Sequence, residues 1–218
     1  MNLAYLEKVP KEYFCTYTDQ PEPTLCYPID FCTDPTVTSY TPNMALSDSY
    51  ENWVGRLDLA CASKAKVSFI GAIYFIGWIL TLLFIPRISD LYGRQKILIG
   101  GISTQTLAYA FLVFNNSYVV TVGSLFVLGM CSAVRTQVAY IYMYENMRPK
   151  HYERTTGIIH VIEGTLAVFG ALYFFYISKY WFPLIFGGFM LSVFGNIGVW
   201  FYYESPRYLI KSGQIQKA

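Results

Sequence analysis

From Ile97 to Val134 the chain runs 38 residues without an Asp, Glu, Lys or Arg. A helix needs about 20 apolar residues to cross the hydrocarbon of a bilayer, so this run holds two crossings with a turn between them. Asn115-Asn116-Ser117 supplies the turn. Upstream, Val67 to Pro86 is likewise free of charge. Only 14% of the residues are charged and 54% are hydrophobic, whereas soluble domains carry about 25% charged residues. Mean hydropathy is +0.35. The chain is expected to be an all-α integral membrane protein whose first partner is the lipid bilayer. A net charge of +2 gives no electrostatic footing for nucleic acid.

Five spans are expected, at about Val67–Pro86, Ile97–Phe114, Tyr118–Tyr144, Thr155–Ile177 and Trp181–Tyr203. The chain then divides into a Cys-containing segment (1–66), a five-helix transmembrane region (67–203) and a tail (204–218). Loop charge sets the orientation. Arg87, Arg94 and Lys96 fall in one loop, Arg148, Lys150 and Arg154 in another, and Arg207, Lys211 and Lys217 in the tail. By parity these segments share one side, and the opposite short loops offer only Lys179. The positive-inside rule puts the basic side, with the C-terminus, in the cytoplasm and the N-terminal segment outside, as in a multi-pass plasma-membrane protein. Outside the cell, Cys15, Cys26, Cys32 and Cys61 can form two disulfides in any of three connectivities, or stay as free thiols. Most tyrosines and tryptophans lie near span ends, among them Tyr140, Tyr142, Tyr144, Tyr180, Trp181, Trp200, Tyr202 and Tyr203, as an interfacial belt requires. Ser103, Thr104, Gln105 and Thr106 make a polar patch in the second span that suits helix–helix bonding, and Gly188-x-x-x-Ser192 is a packing motif of the same kind.

The stretch Pro86–Lys96, PRISDLYGRQK, resembles the loop between the second and third helices of the major facilitator superfamily, G-x-x-x-D-R-x-G-R-R/K. Asp90, Gly93, Arg94 and Lys96 fall on the pattern; Pro86 stands where the leading Gly belongs and Leu91 where an Arg does. A glycine permits the sharp reversal, and an arginine offers bidentate bonds at the membrane surface. YENMRPKHYERTTG is similar to the fourth-to-fifth helix loop of sugar and organic-ion transporters, with Glu145, Pro149, Arg154 and Gly157 on the pattern. ESPRYLIKSGQ resembles the segment after their sixth helix through Glu204, Ser205, Pro206 and Arg207. Leu57–Leu80, with its LDLAC entry, is similar to the second-helix entry of the organic ion transporters, which also carry a large cysteine-bearing outer loop before it. The resemblance implies five transmembrane helices of a major-facilitator N-terminal bundle, preceded by an irregular Cys-containing extracellular segment. It also implies that a first helix and a C-terminal half complete the transporter.

Arg135 and Glu163 are costly at membrane depth and are functional candidates for that reason. Each lies about 14–15 Å from the expected cytoplasmic edge at the helical rise per residue, on neighbouring antiparallel helices, so the two can meet. His160 sits one helical turn from Glu163. The trio can bind substrate, couple protons, or brace two helices as a neutral pair. The sequence holds no Walker loop, nucleophile–base pair or clustered metal ligands, so neither enzyme activity, cofactor nor metal is expected. The resemblance implies a secondary active or facilitative transporter of small organic solutes, organic ions foremost, working by alternating access. The alternatives are a sugar porter-like transporter and a non-transporting truncated or accessory membrane protein.

Overall fold

A computed structural model describes residues 3–18, 20–46, 49–201, 203–204 and 210. The Cys-bearing segment contains α1 (Leu3–Leu6), β1 (Tyr13–Tyr17), β2 (Gln20–Cys26), α2 (Pro28–Phe31), β3 (Val37–Pro42) and α3 (Trp53–Arg56). Five long helices follow: α4 (Lys64–Tyr92), α5 (Arg94–Phe114), α6 (Tyr118–Asn146), α7 (Tyr152–Leu172) and α8 (Phe182–Val199). A 3-10 turn at Pro149–His151 leads into α7, and a π turn at Tyr173–Ile177 ends it. Each of the five is long and apolar enough to cross a membrane.

The main departure from the expected spans lies at Pro86. Instead of ending there, α4 runs on to Tyr92, so most of the expected loop is helical. Proline removes one donor and crowds the preceding turn, yet the side chains after it continue the helix, and the Ser89 hydroxyl donates back to the Pro86 carbonyl at 2.8 Å. The break falls at Gly93, whose φ of 98° lies in the region that disfavours L side chains.

The fold divides into two compact units, Met1–Gly71 with Gly164–Leu184, and Ala72–Glu163 with Ile185–Ala218. In the first, the sheet has the order β2-β1-β3 with both pairings antiparallel. Alternation along β1 turns Tyr13 and Cys15 inward, where they pack with Cys26, Phe31 and Ala60. The disulfides are Cys15–Cys26 and Cys32–Cys61, one of the three connectivities open to the sequence. The turn between α7 and α8 belongs to the same unit and is stitched to the segment. Lys179 Nζ donates to the carbonyls of Met44 (2.7 Å) and Leu46 (2.6 Å). Glu51 bridges the backbone of Lys179 and Trp181 at 3.0 and 3.2 Å, and the Arg56 guanidinium lies 4.5 Å from the centre of the Trp181 ring. The carboxyl of Glu7 fills the notch left by Gly71; its Oε1 is buried without a hydrogen-bond partner among the described residues, and burial pushes the group up to about 7.

In the second unit α4 and α6 cross where glycines let their backbones touch. A Cβ on Gly129 would land on the Tyr74 carbonyl oxygen, and one on Gly77 on that of Phe126. The Tyr74 hydroxyl bonds Ser132 Oγ across the crossing at 2.9 Å. Small residues at a crossing give membrane helices the van der Waals contact that replaces a hydrophobic driving force. The polar patch of α5 is used the same way, Ser103 meeting Asn196 and Thr106 meeting Ser192 of α8, both at 2.9 Å.

Candidate functional site

Gly93 ends α4 and opens α5, so the first turn of α5 carries backbone N–H groups with no intrahelical acceptor. Glu204, beyond the end of α8, supplies one: its Oε1 accepts from the amides of Arg94 (3.2 Å) and Gln95 (3.1 Å). A carboxylate there also meets the positive end of the helix dipole. The Arg94 side chain turns the other way. Its Nη2 donates to Asp90 Oδ1 at 3.0 Å across the glycine, and its Nη1 forms an ion pair with Glu145 at the end of α6. With side chains 15% and 10% exposed, Arg94 and Glu145 are largely withdrawn from water, while Asp90 at 53% is not. Removing one member of such a withdrawn pair leaves an uncompensated charge, which costs about 3–5 kcal/mol.

Residues from all three sequence motifs thus converge on one arginine: Asp90, Gly93 and Arg94 from the first, Glu145 from the second and Glu204 from the third. The other motif residues lie apart from it. Lys96 is exposed, as is Arg154. Pro149 opens the 3-10 turn, and with Gly157, Tyr144 and Tyr152 it lines a cavity of about 540 Å³. Ser205, Pro206 and Arg207 lie outside the described residues. Around the turn, the Tyr144 hydroxyl bonds Thr156 at 3.0 Å and the Tyr152 hydroxyl donates to the Tyr144 carbonyl at 2.5 Å, fixing the start of α7 on the end of α6.

The second cluster sits deeper. Arg135 of α6 and Glu163 of α7 are both 11 residues from the helix ends that face each other, Asn146 and Tyr152, or about 16 Å at 1.5 Å per residue. They line one cavity of about 140 Å³ together with Thr136, Tyr140, Met143 and Ile159. His160 Nδ1 is 3.5 Å from Glu163 Oε2, and the His160 ring stacks on Tyr140 at 5.7 Å between centres. Arg135 and Glu163 share the cavity without forming an ion pair with each other among the described residues, so the helix-bracing pair that the sequence allows is not formed. The Tyr140 hydroxyl is buried and has no hydrogen-bond partner among the described residues.

Sequence reasoning did not identify the capping role of Glu204 or the hold of Lys179 on the Met44 and Leu46 carbonyls. Each left a trace. Glu204 is the first charge after the last apolar run, and Lys179 is the one cation in the two short turns between spans.

Five apolar helices, with charged residues facing a cavity at mid-span, define a multi-pass membrane protein. The chain belongs to the major facilitator superfamily: the family model described as Major Facilitator Superfamily matches residues 31–217. Among curated relatives it is similar to a solute carrier family 22 member 15-like protein of Xenopus laevis, 23% identical over 82% of this chain and 37% of that protein. It is similar also to organic cation/carnitine transporter 2 of Mus musculus, 29% identical over 82% of this chain and 31% of that protein. A third relative is the putative sugar transporter ERD6-like 13 of Arabidopsis thaliana, 26% identical over 72% of this chain and 32% of that protein. The chain spans about a third of the length of these relatives.

Proposed function

We propose that the chain forms part of a carrier for small organic ions that works by alternating access, and that it does no chemistry on its solute. Its five spans correspond in this scheme to the second to sixth helices of a six-helix bundle. A first helix and a second bundle complete the cavity. The Cys-bearing segment lies outside the cell, and the basic loops with Glu204 lie in the cytoplasm, in accord with the charge bias of the loops.

The observation that carries the proposal is the convergence on Arg94. Three segments separated by whole spans meet at Arg94, Asp90 and Glu145 at its guanidinium and Glu204 at its backbone amide, through bonds that can be made and broken together. Rocking of two bundles about a midplane site closes each face in turn, and a latch of this kind would hold one face closed. Asp90, Gly93 and Arg94 with Glu145 and Glu204 form that latch, while Arg135, His160 and Glu163 contact the solute or its coupling proton. Organic ions are favoured over sugars by the mid-span charges and by the disulfide-bonded outer segment, and relatives named for organic cation transport agree.

Uptake by cells expressing the full-length protein that carries this sequence tests the proposal. Labelled organic cations, organic anions, zwitterions and hexoses are offered in turn. Saturable accumulation of an organic ion, lost on Arg94→Ala at unchanged surface expression, is the expected outcome. Accumulation of hexose alone, or of nothing above untransfected cells, overturns it.

A further inference from the structure

The N-terminal arm is tied into the first unit by side chains on either side of Glu7. Asn52 Nδ2 donates to the carbonyls of Tyr5 (3.1 Å) and Lys8 (2.6 Å). The Tyr5 ring stacks on Phe174 of the turn that ends α7, 5.1 Å between centres, and Leu6 is buried. Those ties are made by an amide, a ring face and an alkyl group, and they carry no charge. Glu7 adds a tie of another kind, its carboxyl occupying the space that a side chain at Gly71 would fill. Gly71 lies seven residues into α4, about 10 Å along it, and four residues past Val67, where the charge-free run begins. A carboxylate set against helix backbone there gives up its water, and Oε1 has no hydrogen-bond partner among the described residues to replace it. The neighbouring cations are engaged elsewhere: Lys8 lies over the Tyr50 ring, Arg56 over Trp181, and Lys179 is held by the Met44 and Leu46 carbonyls. Lys64 and Lys66 of α4, and Glu51 ahead of α3, add no charge effect at Glu7, whose rise to about 7 comes from burial. The notch accepts this carboxyl with its proton on and disfavours it with the proton off.

We infer that Glu7 is a proton-binding site that works the N-terminal arm as a clasp: protonated, it seats the arm between α4 and the turn that ends α7; ionised, it releases Gly71. The seated carboxyl keeps its proton up to about pH 7 and a freed one keeps it up to about 4.5. Seating is therefore strongest below the lower value, weakens about tenfold per pH unit between the two, and stays constant above the upper one. The consequence for carriage rests on the carrier proposal. There, this end of α4 and α7 faces outside the cell and has to move as the outer face opens and closes, so outside acidity slows the cycle by holding the clasp shut.

Hydrogen exchange of the full-length protein in lipid nanodiscs, read by mass spectrometry over residues 3–8, tests the clasp. Wild type and Glu7→Gln, whose side chain is neutral at every pH, are compared at equal pH so that the chemical exchange rate cancels. The ratio of wild-type to variant exchange should rise about tenfold per pH unit from about pH 5 to about pH 7 and level off above that. Gly71→Ala is the second variant and decides the matter if Glu7→Gln fails to fold. Its methyl would lie 2.6 Å from Glu7 Oε1, the far end of a flexible side chain, so the carboxyl is displaced, the helix stands and the pH response is lost. A ratio that stays flat across this range, or a Gly71→Ala protein that responds to pH as the wild type does, overturns the inference. Uptake of a labelled organic ion, with outside pH stepped over the same range, should rise in the wild type relative to Glu7→Gln. Uptake that runs parallel in the two proteins overturns the effect on the cycle. No saturable uptake of any organic ion overturns the carrier proposal, and the exchange ratio still decides the clasp.

Discussion

Replacing Gly129 with alanine places a methyl group on the carbonyl oxygen of Tyr74 and within 3.2 Å of the amide nitrogen of Trp78. Both are backbone atoms of α4, so neither can rotate away, and α4 and α6 have to part. Forced overpacking of this kind costs about 1–3 kcal/mol. Parting the helices also strains the Tyr74–Ser132 hydrogen bond of 2.9 Å, and interhelical bonds in membranes average about 0.6 kcal/mol. The sum is about 1.5–3.5 kcal/mol, or roughly 3–14 °C in Tm for a domain of this size. Gly123 of the same helix is the control, because a Cβ there meets nothing within 4 Å. Alanine at that position should be neutral or slightly stabilising, since alanine is the better helix former by about 0.8–1 kcal/mol. Thermal unfolding of the purified full-length protein in detergent, followed by tryptophan fluorescence, reads both. A Gly129→Ala protein that melts with the wild type, or a Gly123→Ala protein that loses as much, would refute the close crossing of α4 and α6.

Glu204→Gln keeps an acceptor at the start of α5 but removes its charge, so a loss of about 0.5–1 kcal/mol is expected, with faster amide exchange confined to Arg94, Gln95 and their neighbours. Unchanged exchange there would contradict the cap. The two disulfides close loops of different length, 29 residues for Cys32–Cys61 and 11 for Cys15–Cys26. By loop entropy they are worth about 3.6 and 2.8 kcal/mol, so Cys32→Ser should expose the Cys-bearing segment to protease more than Cys15→Ser; the reverse order would count against the entropic account. Burial raises the Glu7 carboxyl from 4.5 to about 7, so the folded chain holds that proton more tightly than the unfolded one. Its contribution to stability is fully present below about pH 4.5 and is lost as pH rises through about 7. A melting profile across this window should flatten in Glu7→Gln; an identical slope in both proteins would remove Glu7 as its source.

The spans are the most legible part of the sequence, because a charge-free run of about 20 residues has few folded states other than a crossing helix. Their ends are less so. Pro86 reads as a terminator and does not act as one, because a proline removes a single bond to the preceding turn and leaves the residues after it free to stay helical. The sheet in the Cys-bearing segment is hidden by Pro21 and Pro23 within β2, which read against a strand but are tolerated on an edge. Cysteine count leaves three connectivities open, and the pairing of β1 with β2, which sets Cys26 opposite Tyr13 and Thr24 opposite Cys15, brings Cys15 within reach of Cys26. At the candidate latch, Asp90 and Arg94 are neighbours in sequence, but Glu145 and Glu204 reach Arg94 through helix packing that no local pattern encodes. Arg135 and Glu163 are placed at equal depth by residue counting alone. Whether their side chains meet depends on the rotation of α6 and α7, which counting does not supply.

Counterflow in proteoliposomes holding the full-length protein bears most directly on carriage by alternating access. Vesicles preloaded with unlabelled organic ion should take up the labelled ion faster than empty ones, because a carrier returns loaded faster than it returns empty, and Arg94→Ala should lose that acceleration along with the latch. Equal entry into preloaded and empty vesicles, or counterflow untouched by Arg94→Ala, would contradict the account.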